Sequence, residues 1–309
     1  MKNNLAILII VEPGLLEQQA ELLIKSIHKY LSKNIDIFTF SPRTNKKPGP
    51  KMYAFLEDHV AYHFNNNLNQ DYHDFPLANG LYASSFFEQE HPEYDNILLT
   101  DTDTVFINDL PKEIFENNTV FVSPADNKGV GSEGVNDPED YFWNQMFDLF
   151  DLEIPKATME TTVRKKTIRP YHNSGFVLVN KIPGFYQQWF NDFDNLMKSN
   201  IRPKFIGRDG TNFGFFEQLV LSITTERIGN NKRYFPKSLN YPIPFKPYLE
   251  KKHNSIKWNE LCHLHYHKWF QHPGFLDHVT SEADKKSVTY QWLKKQLPLH
   301  PTIDGPFKC

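Results

Sequence analysis

Two acidic residues that stand two positions apart carry the chemistry that is easiest to interpret. Asp101 and Asp103 follow the apolar run 97–99, which predicts a buried strand that ends just before them. Side chains two residues apart in an extended chain point to the same side, so the two carboxylates would repel each other. A divalent cation relieves that repulsion, and all-oxygen ligands suit Mg²⁺ or Mn²⁺. The competing interpretation is that the carboxylates cap a turn or the next helix.

A second cluster of ionisable groups stands late in the chain. Histidines alternate at His263, His265 and His267, and Lys268 follows them directly. In a strand all three imidazoles would share one face, which favours a metal or phosphate site. Alternating neighbours on one strand rarely all reach a single ion. The expectation is therefore one metal ligand here, with the other histidines binding phosphate or packing.

Two further polar segments interrupt apolar runs. In Asn173-Ser174-Gly175, the glycine allows a close backbone approach to a ligand, and Asn173 offers both a hydrogen-bond donor and an acceptor. A turn before a strand explains this segment equally well. Glu217 and Gln218 stand near the start of an apolar helical run. A helix N-terminus stabilises an acid, so capping explains Glu217 as well as binding does, but it explains Gln218 less well.

The elements that must position these residues begin with a strand, a helix and a strand. Residues 5–11 form a continuous apolar run typical of a strand buried on both faces, and residues 35–40 form the next strand. Apolar residues at helical spacing occupy 16–31 between them. This opening predicts an α/β fold with one mostly parallel central sheet flanked by helices. Further helices are predicted at 52–64, 77–89, 141–150, 185–197, 213–225 and 282–296, with strands at 97–99, 105–107, 119–122 and 175–179. The C-terminal half is predicted to be irregular.

Composition excludes several classes of protein. Apolar residues make up 39% of the 309 and charged residues 23%, as in ordinary globular domains. The net charge of −3 gives no field that would attract nucleic acid. Two cysteines, Cys262 and Cys309, do not make a disulfide scaffold and suit a reducing compartment. The apolar run at 5–11 is too short to span a bilayer or to act as a secretory signal. The expectation is a cytoplasmic protein without an integral membrane segment.

In their order along the chain, these segments resemble the GT-A glycosyltransferases, and most closely the retaining enzymes of glycosyltransferase family 8. Members of that family open with a nucleotide-binding strand–helix–strand unit and then carry a D-x-D, an Asn-Ala-Gly or Asn-Ser-Gly, an Asp-Gln pair and a late histidine. The matching residues are Asp101, Asp103, Asn173, Ser174, Gly175, Glu217, Gln218 and His265. Two departures stand out. Glu217 replaces the usual Asp, and only His267-Lys268-Trp269 remains of the usual Gly-x-x-Lys-Pro-Trp stretch.

The resemblance implies a role for each of these residues. It implies a nucleotide-diphosphate sugar as the donor, with UDP as the carrier, and Mn²⁺ or Mg²⁺ held by Asp101, Asp103 and His265. Glu217 or Gln218 would stabilise charge on the sugar face opposite the leaving group, as retention requires. The implied nucleotide- and cofactor-binding residues are Val11, Glu12, Asp101 and Lys268, and the implied sugar-binding residues are Asp126, Asn173, Ser174 and Gly175.

The same resemblance implies how the chain is organised. Residues 1–309 would form a single GT-A domain, with a nucleotide-binding half at 1–123 and a half at 124–309 that binds sugar and acceptor. The acceptor would be a glycan, a lipid-linked molecule or a protein, and no nucleic acid is expected as a partner. The glycine-rich segment 129–134 is expected to be a mobile lid over the donor. Lys268, or one of Arg164, Lys165 and Lys166, would add positive charge at the phosphates.

Three other classes of protein remain as alternatives. The segment around Asp101 and Asp103 also resembles the first motif of haloacid-dehalogenase-type phosphatases, in which the first Asp is a nucleophile and the second a general acid. That motif normally follows the first strand of its domain, whereas here about a hundred residues precede it. A sugar-nucleotide-forming nucleotidyltransferase would need a glycine-rich phosphate loop after the first strand, which residues 11–16 lack. The third alternative is a non-catalytic binding protein.

Overall fold

The elements of the chain alternate between strands and helices over the first hundred residues, as the sequence predicts. The computed structural model describes residues 5–31, 34–204, 215–253 and 256–300. The strands are β1 (Leu5–Ile10), β2 (Ile35–Phe40), β3 (Tyr62–Phe64), β4 (Asn96–Thr100), β5 (Thr104–Phe106), β6 (Thr119–Pro124), β7 (Met159–Glu160), β8 (Thr167–Ile168), β9 (His172–Asn180), β10 (Lys232–Tyr234), β11 (Tyr241–Pro242) and β12 (His263–His265). The helices are α1 (Leu15–Tyr30), α2 (Pro50–His59), α3 (Asn79–Glu90), α4 (Asp140–Leu149), α5 (Phe185–Lys198), α6 (Phe216–Arg227), α7 (Lys246–Lys252), α8 (Phe275–Val279) and α9 (Val288–Gln296).

Seven of these strands form the central sheet, in the order β10-β6-β9-β4-β1-β2-β3. The neighbours β1 and β2, β2 and β3, and β10 and β6 run parallel, whereas β6 and β9 run antiparallel. Strands β11, β12 and β5 form a second sheet in that order, and β7 pairs with β8. The predicted α/β class, with one mostly parallel central sheet flanked by helices, is confirmed.

The residues pack into two compact units, and each unit is built from separate stretches of sequence. The first unit consists of the described residues that lie within 1–67, 100–114 and 235–309. Its core includes Val105 from β5, Leu264 from β12 and Leu22 from α1. Ser26 of α1 is fully buried and ties the helix to β5, because its hydroxyl accepts a hydrogen bond from the Phe106 N–H at 3.0 Å.

The second unit takes in residues 68–99 and 115–234. Helix α5 packs on α3 and on α6, and buries Trp189 and Phe193. Its start is capped by a carboxylate from α3, because Glu88 accepts a hydrogen bond from the Gln187 N–H at 3.0 Å. The organisation of the chain as one 1–309 domain with halves that meet after residue 123 stays a prediction.

Three predicted boundaries were wrong, and the first is that of the helix expected at 282–296, which begins at Val288. The expected helix at 52–64 ends at His59, and Tyr62–Phe64 is a strand that pairs parallel with β2. Aromatic residues that favour strands explain this switch. The strand expected at 175–179 begins at His172, so Asn173, Ser174 and Gly175 belong to β9 itself. The pairing of β6 with β9 shifts register between Phe121 and Ser123, which is an irregularity typical of strands near functional sites.

Among the described residues, no helix is long and apolar enough to cross a lipid bilayer. Cys262 is partly buried in the first unit, and its backbone oxygen accepts hydrogen bonds from the N–H groups of Ile107 and Asn108. Cys309 and the predicted helix start at 213–214 lie outside the described residues.

Candidate metal centre and sugar-binding residues

The turn that carries the two aspartates is held from both sides. Asp101 and Asp103 connect β4 to β5, and the Thr104 hydroxyl donates to the Asp101 backbone oxygen at 2.7 Å. Strand β5 pairs antiparallel with β12, which places Thr104 opposite His265. The Tyr266 N–H then donates to the Asp103 backbone oxygen at 3.0 Å. This pairing joins the D-x-D turn to the histidine segment, more than 150 residues later in the chain.

Three side chains converge beside this turn. His265 Nε2 lies 3.3 Å from Asp103 Oδ1, and His267 Nδ1 lies 3.8 Å from Asp103 Oδ2. One ligand atom from each of the three residues lies within 4.8 Å of the others. His267 follows β12 in a left-handed conformation with φ of 52°, so the chain turns back here and does not continue the strand. That turn brings the second imidazole towards the carboxylate.

Asn240 fixes the orientation of one imidazole. Its side-chain oxygen lies 3.1 Å from His265 Nδ1. Because an amide oxygen can only accept a hydrogen bond, Nδ1 keeps its proton, and Nε2, which faces Asp103, is the ring nitrogen that can give up its proton to bind a cation. Asn240 directly precedes β11, whose Pro242 is paired with His265. An outer hydrogen bond of this kind is what holds metal-binding histidines in proteins.

The two aspartates differ in their electrostatics. Desolvation by the surrounding protein, and then the negative charge of Asp103, raises the pKa of Asp101 to about 6, although part of its side chain reaches solvent. Desolvation acts in the same direction on Asp103, but the attraction of His265 and its hydrogen bond, together with His267, outweigh it, and the pKa of Asp103 lies below its usual value. Asp103 is therefore the carboxylate that stays ionised beside the two imidazoles.

The donor atoms fit a divalent cation. With bonds of about 2.1 Å, neighbouring ligand atoms of an octahedral ion lie about 3.0 Å apart and opposite ones about 4.2 Å apart. The separations of 3.3 and 3.8 Å, and the 4.8 Å limit for the whole set, are close to these values. One carboxylate and two imidazoles form a mixed oxygen and nitrogen set, which favours Mn²⁺ over Mg²⁺.

The structure divides the predicted ligands. It brings Asp103, His265 and His267 together with ligand atoms within 4.8 Å of one another, and Asp101 does not belong to that group. His263 is fully buried against Phe106, with ring centroids 4.5 Å apart, and burial lowers the pKa of its imidazole well below the usual value. The expectation of a single histidine ligand did not allow for the left-handed turn at His267.

The predicted nucleotide-binding residues lie in the first unit, and most of their polar groups form hydrogen bonds or ion pairs within the protein. Val11 donates its N–H to the Phe40 oxygen at 2.8 Å and accepts the Ser41 hydroxyl at 2.6 Å. Glu12 is buried and forms a two-pronged ion pair with Arg43, with one N–H···O distance of 2.7 Å. This pairing was not visible in the sequence, because the two residues belong to different strand ends. Lys268 is exposed directly after the second histidine ligand.

The predicted sugar-binding residues lie in the second unit, and two of their segments meet. The Ser174 hydroxyl donates to Glu217 Oε1 at 3.4 Å, and Glu217 is buried in the first turn of α6. The backbone oxygen of Glu217 accepts the Trp189 indole N–H at 2.9 Å. The Gln218 side chain is hydrogen-bonded to Tyr171. Strand β9 and helix α6 thus hold these polar groups in fixed positions.

Two other residues that are predicted to contact the sugar accept hydrogen bonds from backbone N–H groups. Asn173 accepts the Gly175 N–H at 3.0 Å through its side-chain oxygen, which fixes the start of β9. Asp126 is partly buried just beyond β6, and its backbone oxygen accepts the Val163 N–H at 2.9 Å. The roles of these residues in binding a sugar stay predictions.

The segment expected to be a mobile lid is anchored. The Trp143 indole donates to the Val130 oxygen at 2.9 Å, and the buried Ser132 hydroxyl donates to Asp140 at 2.5 Å. Asp140 also forms an ion pair with Arg169 at 2.7 Å. At Gly131, an added Cβ would lie 2.8 Å from a backbone oxygen. These contacts hold residues 130–132 in the conformation seen here, and the mobile lid stays a prediction.

Comparison with known proteins identifies the class to which this fold and site belong. The family model of the Rhodobacterales glycosyltransferase domain matches residues 7–229. The chain belongs to this family, and it is a glycosyltransferase. The matched range contains the D-x-D turn, β9 and the whole of α6, whereas His265 and His267 lie beyond it. This family membership rules out the three alternatives, which were a phosphatase, a nucleotidyltransferase and a non-catalytic binding protein.

One solved structure is similar over nearly the whole chain. The apo structure of WbbM, a bifunctional glycosyltransferase, matches 96% of this chain with a TM-score of 0.53 and 13% identity. At that identity the likeness shows a shared fold. The chain spans about half of that relative, since the match covers 52% of it. No curated protein matches the chain. The closer resemblance to glycosyltransferase family 8 stays a prediction.

Proposed function

We propose that this glycosyltransferase moves a sugar from a nucleotide-diphosphate sugar, with UDP as the carrier, in a reaction that depends on Mn²⁺ or Mg²⁺. The observation that carries the proposal is the group formed by Asp103, His265 and His267, with the Asn240 side chain behind one imidazole. Its mixed donor set makes Mn²⁺ the first choice. A cation held there would stabilise the negative charge that develops on the departing diphosphate.

Each protein group near this cluster has a proposed task. Asp103, His265 and His267 hold the cation, and Asp101 adds negative charge beside it. Lys268, exposed next to His267, contacts the diphosphate. The buried ion pair between Glu12 and Arg43 keeps the end of β1 rigid where the nucleoside binds, in line with the rule that parallel sheets bind ligands at the carboxyl ends of their strands.

The sugar is proposed to contact residues of the second unit. Asp126, Asn173, Ser174 and Gly175 bind its hydroxyls, since a site that hydrogen-bonds each hydroxyl rejects analogues that lack one. Glu217 or Gln218 stabilises charge on the sugar face opposite the leaving group, which makes the reaction a retaining one. The acceptor is a glycan, a lipid-linked molecule or a protein, and a cytoplasmic location stays a prediction.

The test is thermal unfolding of the full chain with a panel of nucleoside diphosphates and nucleotide sugars, each with Mn²⁺ and with EDTA. A ligand at a hundred times its dissociation constant adds about 2.7 kcal/mol to the free energy of unfolding. We expect UDP or a UDP-sugar to raise the melting temperature only when Mn²⁺ is present. His267→Ala, at a partly exposed position, should lose most of that shift.

His278→Ala is the matched control, because it removes an exposed imidazole from α8 in the same unit. It should keep the full shift. A UDP-dependent shift of equal size in Mn²⁺ and in EDTA would contradict the metal assignment. A shift with a different nucleoside diphosphate, and none with UDP, would contradict the choice of carrier. A product with the opposite anomeric configuration to the donor, seen by proton NMR, would contradict retention.

A further inference from the structure

A cavity of about 580 Å³ lies in the first unit, away from the residues assigned so far. One wall is formed by Glu250 of α7 and by residues 256–259, and the other by residues of 281–287, before α9. None of the residues that line it belongs to the Asp103, His265 and His267 cluster. Its volume lies within the range of about 300–1,000 Å³ that is typical of small-molecule sites.

A side-chain hydrogen bond joins the two walls of this cavity. Trp258 is buried, and its indole N–H donates to the Ser287 hydroxyl oxygen at 3.1 Å. Ser287 also caps α9, because the same oxygen accepts the Tyr290 N–H at 3.2 Å. The indole therefore holds the start of α9 against the other wall, so the cavity is formed without a ligand.

The two acids that line the cavity accept hydrogen bonds from neighbouring side chains, whereas the two lysines that line it form no ion pair with the described residues. Glu250 accepts a hydrogen bond from Lys246, and Asp284 accepts the Ser281 hydroxyl at 2.6 Å. Lys257 and Lys286 are exposed at the cavity, and neither ammonium group forms an ion pair with the part of the chain that the structure describes. Lys246 balances the charge of Glu250, so Lys257 and Lys286 outnumber the one remaining carboxylate, that of Asp284, and the net charge at the cavity is positive.

The sequence of the walls gives the same sign. Residues 250–259 contain three lysines and one glutamate, and residues 281–287 contain two lysines and two acids. These two stretches carry a net charge of +2 in a chain whose net charge is −3. A local charge that opposes the charge of the whole chain attracts an anion to this place in particular.

We propose that this cavity binds an anionic saccharide, one that carries a carboxylate or a phosphate group. Lys257 and Lys286 would contact the anionic group. Asn259 offers an amide and Ser287 its hydroxyl proton for sugar hydroxyls, which need donors and acceptors close together. The choice of a saccharide rests on the membership of the chain in a glycosyltransferase family. It does not depend on the proposed metal, carrier or retention.

The experiment is calorimetric titration of the full chain in EDTA and without any nucleotide. The probes are a hyaluronan tetrasaccharide for the carboxylate, glucose 6-phosphate for the phosphate, chitotetraose as a neutral saccharide, and inorganic phosphate. We expect one of the two anionic sugars to bind, and chitotetraose and inorganic phosphate to bind at least about tenfold more weakly, since neither offers both kinds of contact. Which anionic sugar binds identifies the group.

Three charge reversals at exposed lysines complete the test. Lys257→Glu and Lys286→Glu should each weaken binding of the anionic sugar by about fivefold or more. Lys51→Glu, in α2 of the same unit, should change it less than about twofold. The proposal is overturned if neither anionic sugar binds, if chitotetraose binds equally well, or if Lys51→Glu weakens binding as much as the other two. Because no metal or nucleotide is present, these outcomes are independent of the proposed donor site.

Discussion

Replacement of Asn240 tests the candidate metal centre without touching a proposed ligand. Asn240→Gly removes the oxygen that lies 3.1 Å from His265 Nδ1. Glycine suits this position, because Asn240 has a left-handed φ of 49° that most other residues adopt only with strain. The variant therefore removes the hydrogen bond without adding backbone strain. We expect the fold to be kept and the affinity for Mn²⁺ to fall.

The magnitude follows from what the hydrogen bond does. It keeps the His265 proton on Nδ1 and the ring in place, so that Nε2 lies 3.3 Å from Asp103 Oδ1. Loss of an outer hydrogen bond of this kind typically weakens metal binding by about 10- to 100-fold. That range corresponds to about 1.4–2.7 kcal/mol of binding free energy. Asn240→Asp keeps an acceptor oxygen and should bind Mn²⁺ at least as tightly as the unmodified chain.

The assay is titration of the full chain with Mn²⁺, followed by electron paramagnetic resonance of the free ion. Melting temperatures measured in EDTA provide the control for folding, and they should agree among the three proteins within a few degrees. Equal Mn²⁺ affinity in Asn240→Gly and in the unmodified chain would refute the claim that Asn240 positions His265. A loss of affinity in Asn240→Asp as large as in Asn240→Gly would refute the argument from the acceptor oxygen.

Three further predictions concern stability and titration. The hydrogen bonds and charge of Arg169 overcome desolvation and hold the pKa of Asp140 below its usual value. Its contribution is therefore present above the unfolded-state pKa of about 3.9 and is lost as pH falls through the lower folded-state pKa. Asp140→Asn should cost about 3 kcal/mol at neutral pH, and less in acid, as measured by urea unfolding. Gly131→Ala should lower the free energy of unfolding by about 1–3 kcal/mol, because the new Cβ meets a backbone oxygen at 2.8 Å. Gly49→Ala, with its nearest contact at 3.6 Å, should cost less in the same assay. Desolvation lowers the pKa of His63 to about 4, so its imidazole NMR signals should not titrate between about pH 5 and 8.

Local sequence patterns were sufficient to predict the first strand and the first helix of the chain. The continuous apolar run of β1 and the helical spacing of α1 are properties of neighbouring residues, and both elements were predicted to within about two residues. The same applies to the D-x-D turn, because a strand that ends in two acids is visible in eight residues. The structure places that turn where the sequence predicts it, between β4 and β5.

Long-range pairing explains what the sequence did not reveal. Asn240 reaches His265 because β11 pairs with β12, and nothing in the residues around Asn240 indicates that neighbour. His267 joins the cluster through a left-handed backbone conformation, which histidine adopts rarely and which no nearby glycine announces. Arg43 meets Glu12 only because β1 and β2 lie side by side. For Asn240 and Arg43, strand pairing sets the contact with the partner residue, whereas for His267 a local turn sets it.

The pairing of β5 with β12 also sets an order of events during synthesis. The residues 235–300 that complete the first unit leave the ribosome after the whole of the second unit, whose last residue is Tyr234. At about 5–20 residues per second, residues 107–262, which separate β5 from β12, take about 8–31 seconds to make. During that interval β5 has no partner strand, and Asp103 has neither imidazole beside it. The nascent chain therefore acquires its candidate cation site only after β12 and His267 have been made, and an unpaired β5 edge is exposed to chaperones until then.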